Sequence, residues 1–278
     1  MANAVSGIVL LLVLGGITLS PATADVFCDN LRQVAATLPK NTSSSPVHFA
    51  TTVFGQAPDA VYALALCRGD IVSDSACGGC VASAFDRVLH RTPSRQQQCF
   101  IASYYTGDDC SLVYSVEDIL TLTSSDTTSG NNSDDTPFMR WNTRSWGNWG
   151  NWSTDNITGD ADDVAHTVGL LNELLYKRRP ARRRPGRFTT GLMDSPTIVL
   201  YSMAQCTPDL SDSNCLACLT RLLGTLNFTM TLRTGVQLRA IRCFIRYEAY
   251  PFYDSKPMLH LGGRPSAPAP VTTPVKHK

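Results

Sequence analysis

Two cysteine triplets combine a residue type and a spacing that could support chemistry. Each triplet ends in a Cys-x-x-Cys motif: CRGDIVSDSACGGC at 67–80 and CTPDLSDSNCLAC at 206–218. Such motifs occur in zinc sites, in redox-active dithiols and in structural disulfides. A zinc finger needs further Cys or His residues at regular spacing, whereas the five histidines are scattered along the chain, with none near a triplet. The spacing therefore disfavours zinc.

The N-terminus indicates the compartment in which these cysteines fold. An apolar run at 8–19 precedes the small-x-small sequence ATA at 22–24, which predicts a signal peptide over residues 1–24 and Asp25 as the mature N-terminus. The secretory pathway is oxidising, so we expect the ten cysteines to form five disulfides, with no bound metal. No second stretch of about 20 apolar residues follows. We therefore expect a secreted protein without a transmembrane anchor.

Catalytic motifs are absent from the sequence. It contains no G-x-S-x-G, H-E-x-x-H or G-x-x-x-x-G-K-[ST] segment. Neighbouring carboxylates such as Asp160, Asp162 and Asp163 precede an amphipathic segment, where they are expected to complement the N-terminus of a helix. We predict that the protein is not an enzyme and needs no cofactor.

The charge of the chain is unevenly distributed. The formal net charge is +1, but seven of the 24 basic residues lie in KRRPARRRPGR, from Lys177 to Arg187. Secretion excludes nuclear import and nucleic-acid binding as uses of this run. Two interpretations stay open: a solvated loop, or a patch for an acidic polysaccharide, an anionic lipid or an acidic partner.

An internal repeat divides the chain into two homologous domains. The segment that leads into the first triplet is HFATTVFGQAPDAVYALALC. A similar segment leads into the second triplet, 139 positions later, and reads RFTTGLMDSPTIVLYSMAQC. Each copy continues through a helix-like segment to a strand-like one that begins with a cysteine, CSLVYS or CFIRYEAYPFY. We predict the following units: a first domain at 25–123, a linker at 124–138, a second domain at 139–254 and a Pro-rich flexible tail at 255–278.

Periodicity predicts two elements of the second copy. In DDVAHTVGLLNELLYKR, Val164, Val168, Leu171 and Leu175 form the stripe of an amphipathic helix. In the closing strand, apolar residues and Cys243 alternate with Arg246 and Glu248, so these charges are expected to face solvent or a ligand.

All four tryptophans lie in RWNTRSWGNWGNW at 140–152. Large amphipathic rings stack on sugars and on partner proteins. The favoured interpretation is structural: the first strand and turn of the second domain, with alternate tryptophans in its core.

These residues resemble a known plant family. The C-x8-C-x2-C spacing of the second triplet, the phrase LYSMAQCTPDLS and the segment CFIRYEAYPFY are similar to the ginkbilobin-like, stress-antifungal domain. The domain occurs in tandem in cysteine-rich repeat secretory proteins and in the ectodomains of cysteine-rich receptor-like kinases. The resemblance covers about 27–115 and 139–253. It implies an α+β fold, with two tandem domains that each pack an antiparallel five-stranded sheet on two helices, and a location in the apoplast.

The resemblance also implies a disulfide pairing, first to fifth, second to third and fourth to sixth. Cysteine number alone leaves 15 pairings open for the first copy and three for the second. The second copy lacks the first and fifth cysteines. The implied bridges are Cys28–Cys99, Cys67–Cys77, Cys80–Cys110, Cys206–Cys215 and Cys218–Cys243.

A mannose site of the family's prototype uses an Asn after the first cysteine, an Arg six residues before the last and a Glu five after it. In the second copy, the Arg position holds Gln237 and the Glu position holds Glu248. In the first copy, the Asn position holds Asp29, with Asn30 one place later, the Arg position holds Tyr104 and the Glu position holds Ser115. Only Glu248 keeps the prototype's residue. We therefore predict that mannose binds weakly or not at all, that Glu248→Ala changes sugar binding little, and that Glu248 lies on a solvated strand face.

Two functions remain open at this stage. One is a lectin-like or antifungal module that binds carbohydrate, such as a mannose-type or cell-wall glycan, in stress or defence. The other is a protein-interaction or signalling ectodomain with a cell-surface receptor partner and no sugar affinity. Sequons for N-glycosylation, which suit either, occur at Asn41, Asn131, Asn151, Asn156 and Asn227.

Overall fold

The computed structural model describes residues 22–89, 99–121, 138–141, 161–177, 188–194, 199–227, 231, 233–254 and 256–261. In the first copy, two helices pack on one face of an antiparallel four-stranded sheet with strand order β1-β2-β4-β3. Its elements are α1 (Ala22–Ser44), β1 (Phe49–Phe54), β2 (Val61–Cys67), α2 (Asp74–Leu89), β3 (Ala102–Thr106) and β4 (Cys110–Ser115).

The second copy repeats this arrangement and adds a strand at each edge of its sheet. The strand order is β10-β6-β7-β9-β8-β5, with β10 parallel to β6 and every other pair antiparallel. Its elements are β5 (Phe138–Trp141), α3 (Ala161–Lys177), β6 (Phe188–Asp194), β7 (Val199–Cys206), α4 (Asp212–Leu223), β8 (Gly235–Arg239), β9 (Cys243–Glu248) and β10 (Leu259–Leu261).

The α+β fold with two tandem domains is confirmed, but the strand number differs from the five implied for each sheet. Four strands of the first copy and six of the second lie in the described part of the chain. Phe138, assigned to the linker, is the first residue of β5. The expectation of a flexible tail from 255 is wrong for residues 259–261, which form β10. The backbone hydrogen bonds with β6 order these three residues, and composition does not reveal them.

Helix periodicity accounts for the layer that covers each sheet. Along α1, Phe27, Leu31, Val34 and Leu38 are buried at i, i+4, i+7 and i+11, which is one face of a helix. In α3, Leu171 and Leu175 of the predicted stripe are buried, and the neighbouring leucines 170 and 174 join them in the core. The side chain of Val164 lies outside the described set.

The five disulfides are confirmed, with the pairing that the resemblance implied: Cys28–Cys99, Cys67–Cys77, Cys80–Cys110, Cys206–Cys215 and Cys218–Cys243. Each Cys-x-x-Cys motif lies on a helix, where residues three apart share a face. Its two cysteines therefore bond to two neighbouring central strands. The strand cysteines are directly opposite in the register, Cys67 to Cys110 and Cys206 to Cys243. Within the described residues, no helix is long and apolar enough to span a bilayer.

The sheet faces that the helices leave uncovered contact each other. A buried apolar cluster joins Leu64, Val113 and Ile119 of the first copy to Ile241 of the second. Leu64 and Val113 are side by side on β2 and β4, on the face opposite the helices. The two domains therefore share an interface, and the polar groups around this cluster form the candidate site.

Candidate functional site in the interdomain seam

Polar side chains of β7 and β9 lie on the sheet face that points away from the helices of the second copy. Because strand residues alternate between faces, Gln205 of β7 shares this face with Arg246 and Glu248 of β9. All three are buried. We call this set, together with the first-copy turn 107–109 and the second-copy turn 240–242, the interdomain seam.

Arg246 and Glu248 form a buried ion pair at the centre of the seam. Arg246 Nε lies 2.9 Å from Glu248 Oε1, and the two residues are only 6% and 3% exposed. A second guanidinium nitrogen lies 3.2 Å from Asp108 Oδ1 of the first copy. The guanidinium carbon is 4.2 Å from the centre of the Phe252 ring, within cation–π distance. The expectation that Glu248 faces solvent is therefore wrong, because the first domain covers this strand face.

Gln237 lies beside this pair. It is opposite Arg246 in the β8–β9 register, and Gly235 is opposite Glu248. Gln237 and Glu248 are thus diagonal neighbours on one face of the sheet, as a shared site would require. The guanidinium between them belongs to Arg246, and it already pairs with the Glu248 carboxylate.

The first-copy positions of the prototype's site make other contacts. Asp29 is exposed and pairs with Arg32 on the next turn of α1. Asn30 donates from Nδ2 to the carbonyl of Asp59 at 2.9 Å, which ties α1 to the β1–β2 loop. Ser115 is buried, and its hydroxyl accepts the backbone N–H of Glu117. These hydrogen bonds use polar groups that a sugar site would need.

Tyr104 and Arg239 make reciprocal contacts across the seam. The Tyr104 hydroxyl donates to the carbonyl of Ala240 at 2.9 Å, and Arg239 donates to the carbonyl of Gly107 at 3.4 Å. Gly107 and Ala240 occupy equivalent turns, since each N–H donates to the carbonyl of the cysteine that begins the next strand. Each domain therefore binds the β-turn of the other.

The side chain of Gln205 in β7 forms hydrogen bonds with backbone groups at the end of β2 in the first copy. Its Nε2 donates to the carbonyl of Cys67 and its Oε1 accepts from the N–H of Gly69, both at 3.1 Å. A Cβ on Gly69 would lie 2.3 Å from Cγ of Phe188, so only glycine allows this close approach. The amide thus satisfies two backbone groups of the opposite domain that are next to a disulfide.

Arg242 adds a further contact from the second domain. It pairs with Asp209 and donates to the carbonyls of Ile119 and Leu120, which follow the last strand of the first copy. The sequence did not predict the roles of Arg246, Gln205 and Arg242. The sequence signal for these roles was the alternation of charged and apolar residues in β9, together with the presence of two copies of the same sheet.

Burial also alters the titration of tyrosines near the seam. Burial, and secondarily the Glu248 carboxylate, raises the pKa of Tyr247. Burial raises the pKa of Tyr253 as well, with smaller contributions from Tyr201 and Asp70. The Tyr253 hydroxyl donates to the carbonyl of Gly191 at 3.0 Å. These phenols are therefore neutral hydrogen-bonding groups at physiological pH.

Several predicted features lie partly outside the described residues. Arg178–Arg187 of the basic run and the last three tryptophans belong to those parts, as do sequons Asn131, Asn151 and Asn156. Phe138–Trp141 does form a strand of the second sheet, as the favoured interpretation of the first tryptophan required. Asn41 and Asn227 are exposed. No group of three or more His, Cys, Asp or Glu residues in the described part is arranged to bind a metal.

The chain matches the model of the salt stress response/antifungal family over residues 18–117 and 161–250. It is 35% identical over 249 residues to cysteine-rich receptor-like protein kinase 6 of Oryza sativa subsp. japonica, covering 88% of this chain and 32% of that protein. It is 31% identical over 232 residues to putative cysteine-rich receptor-like protein kinase 9 of Arabidopsis thaliana, covering 82% and 76%. The chain thus spans about a third of the rice relative.

The fold is similar to two solved structures from Arabidopsis thaliana, the tandem DUF26 ectodomains of the cysteine-rich receptor-like proteins PDLP5 and PDLP8. For PDLP5 the TM-score is 0.56 at 18% identity, covering 82% of this chain and 93% of that one. For PDLP8 the values are 0.57 and 20%, covering 82% and 92%. At these identities the likeness concerns the fold alone.

Proposed function

Because the chain belongs to the salt stress response/antifungal family, with two tandem copies of its domain, we propose that it is an extracellular protein-interaction module. It acts as a ligand or co-receptor of a cell-surface protein and catalyses no reaction. The observation that carries this proposal is the Arg246–Glu248 pair. Both side chains are buried and bonded to each other, so a carbohydrate cannot reach them without opening the interdomain seam.

The energetics of sugar recognition support this choice over the carbohydrate-binding alternative. Each hydroxyl that a sugar removes from water must receive a hydrogen bond from the protein. At the prototype's positions, Glu248 is bonded to Arg246, Asn30 to the Asp59 carbonyl and Tyr104 to the Ala240 carbonyl. A sugar would have to break these contacts, of which the Tyr104–Ala240 hydrogen bond joins the two domains and the other two lie within one domain each. These groups stabilise a two-domain surface for a protein partner instead.

The names of the relatives support an extracellular location. They are receptor-like protein kinases, and the solved structures are ectodomains of receptor-like proteins. The predicted signal peptide would direct this chain to the same side of the membrane. Cleavage after Ala24 would remove only three residues of α1. We propose apoplastic secretion, which N-terminal sequencing of the secreted chain would test by finding Asp25 first.

Two parallel binding assays test the function. The recombinant chain 25–278, with its disulfides intact, is applied to a glycan array that includes mannose, and to a panel of plant receptor ectodomains on a biosensor. We expect saturable binding to a receptor ectodomain and no glycan retention. Retention of a mannose-type glycan that Glu248→Gln abolishes, while the thermal unfolding of the variant and binding by Asp29→Ala stay unchanged, would contradict the proposal.

A further inference from the structure

The two copies differ at one sheet edge. β1 and β6 are equivalent strands, 139 positions apart like Cys67 and Cys206, and each pairs antiparallel with the next strand of its copy. Along the outer edge of β6 runs β10, with Leu259 opposite Gly191 and Leu261 opposite Met193. Among the described residues, no strand pairs with the outer edge of β1.

The exposure of equivalent side chains reflects this difference. Phe54 is 44% exposed, whereas Met193, which occupies the same position in β6, is 1% exposed. Thr51 is exposed while the equivalent Thr190 is buried, and Val53 is 51% exposed. The first copy therefore leaves in water a surface that the second copy covers.

The backbone of this edge is oriented for another strand. The N–H of Cys67 donates to the carbonyl of His48 at 2.9 Å, so the alternate residues 50, 52 and 54 are the ones that bond to β2. Phe49, Thr51 and Val53 then direct their N–H and C=O groups away from the sheet. β1 contains no charged residue and no proline, the usual features that keep an edge strand from pairing.

The aromatic residues beside this edge differ between the copies in what they pack against. In the second copy, the Tyr253 ring packs edge-to-face on Tyr201, with centroids 6.0 Å apart, and lies in a cluster with Phe188. The positions equivalent to Tyr201 and Phe188 hold Tyr62 and Phe49, which are half-buried because they pack against the interdomain cluster that contains Ile119 and Ile241. In the first copy, this cluster takes the place of the ring contact that Tyr253 makes, so the incoming segment needs no aromatic anchor.

We propose that the outer edge of β1 binds an extended segment of a partner protein as an additional strand, parallel to β1. The second copy defines the chemistry of this ligand: an uncharged strand with a small apolar side chain opposite Phe54. This inference rests on the proposed protein-interaction function and assigns it a surface.

At one position, the edge of β1 requires a different side chain in its partner strand from the one that β10 supplies to β6. A Cβ on Gly191 would lie 2.7 Å from Cδ1 of Leu261, so the leucine packs where glycine has no side chain. The equivalent residue of β1 is Thr52, whose side chain occupies that space. The partner strand therefore carries a small residue at the position of Leu261. The chain's own β10 sequence fits the β1 edge less well, which favours another protein as the occupant.

Synthetic peptides test the proposal. Two fluorescent peptides, both derived from the segment YPFYDSKPMLHLGG at 250–263, are titrated into the disulfide-bonded chain: one with the native sequence and one with Leu261→Ala. We expect saturable binding that is tighter for the Leu261→Ala peptide. Hydrogen exchange of the complex is expected to show new protection of the Val53 amide and none at the equivalent Leu192, which separates binding at β1 from displacement of β10.

Variants of the chain identify the edge. Val53→Pro removes an outward N–H without breaking the β1–β2 ladder, since proline is tolerated on an edge strand. It is expected to weaken peptide binding by about tenfold. Val53→Ala keeps this N–H, and Val72→Ala removes another exposed valine, which lies outside β1. Both should bind within about twofold of the wild type. If Val53→Pro misfolds by circular dichroism, Val53→Lys serves as the charged edge variant.

The outcomes separate this inference from the proposed function. Absence of saturable binding by either peptide, binding that Val53→Pro and Val53→Lys leave unchanged, or a dimer of the chain that pairs β1 with β1 would overturn the edge assignment. A receptor ectodomain that binds wild type and edge variants equally would refute the inference while leaving the protein-interaction function in place. Retention of a glycan that Glu248→Gln abolishes would refute the function itself.

Discussion

Removal of the Glu248 carboxylate should destabilise the protein. The change Glu248→Ala leaves the Arg246 guanidinium buried without its 2.9 Å partner. Breaking a buried ion pair in this way costs about 3–5 kcal/mol. Arg246 keeps a contact with Asp108, whose side chain is largely exposed, and with the Phe252 ring, so the lower value of about 3 kcal/mol is expected. At about 2–4 °C per kcal/mol for a chain of this size, the unfolding midpoint should fall by about 6–12 °C.

The exposed pair Asp29–Arg32 supplies a matched control. Asp29→Ala removes the same type of group from the surface of α1, where such pairs contribute about 0–1 kcal/mol. Calorimetric unfolding of both variants is compared with that of the wild type. In an Arg246→Met background, Glu248→Ala should cost at least about 2 kcal/mol less than in the wild type, because the guanidinium is already gone. Equal midpoint shifts for Glu248→Ala and Asp29→Ala would refute the buried-pair argument.

Three further changes test other parts of the fold. The Cys28→Ala/Cys99→Ala variant lacks the disulfide that closes a loop with a sequence separation of 71. Denaturant titration should show that its free energy of unfolding is lower by about 4 kcal/mol. An unchanged midpoint would contradict this. Gly69→Ala places a Cβ 2.3 Å from Cγ of Phe188. The backbone N–H of residue 69, which donates to Gln205 across the seam, should therefore exchange faster with solvent. Unaltered exchange would show that the seam tolerates the methyl group. Burial raises the pKa of Tyr114 to about 12, so the folded state binds the phenolic proton more tightly than the unfolded state does. The free energy of unfolding should therefore fall as the pH rises from about 10 to 12. Tyr114→Phe should lessen that fall in thermal melts measured across this pH range.

Local patterns in the sequence were sufficient for much of the fold. Helix periodicity located α3, and the Cys-x-x-Cys spacing placed Cys215 and Cys218 on one face of a helix, as α4 shows. The strand-like segments that begin with Cys110 and Cys243 are β4 and β9. Such features depend on residues within one or two turns or on alternate residues of one strand. The disulfide pairing needed the family resemblance, because cysteine spacing leaves several pairings open.

The candidate site was only partly predictable. Alternation in β9 showed that Arg246 and Glu248 share a face, but it gave no information about what covers that face. The cover is the turn at Asp108, which is 138 residues from Arg246 along the chain. Solvation was therefore the wrong expectation for Glu248, whereas the poor match to the prototype's sugar site was visible from residue identities alone.

The sequence by itself determined the two copies, the helices α2, α3 and α4 and the strands β4 and β9, because these features arise from periodicity and from residue type. Only the tertiary structure decided which sheet faces and edges are covered. β10 covers β6, no described strand covers β1, and the first domain buries the Arg246–Glu248 pair. These outcomes depend on contacts between residues far apart in the chain, and the free energy of burying a charge or pairing an edge is set by both partners together.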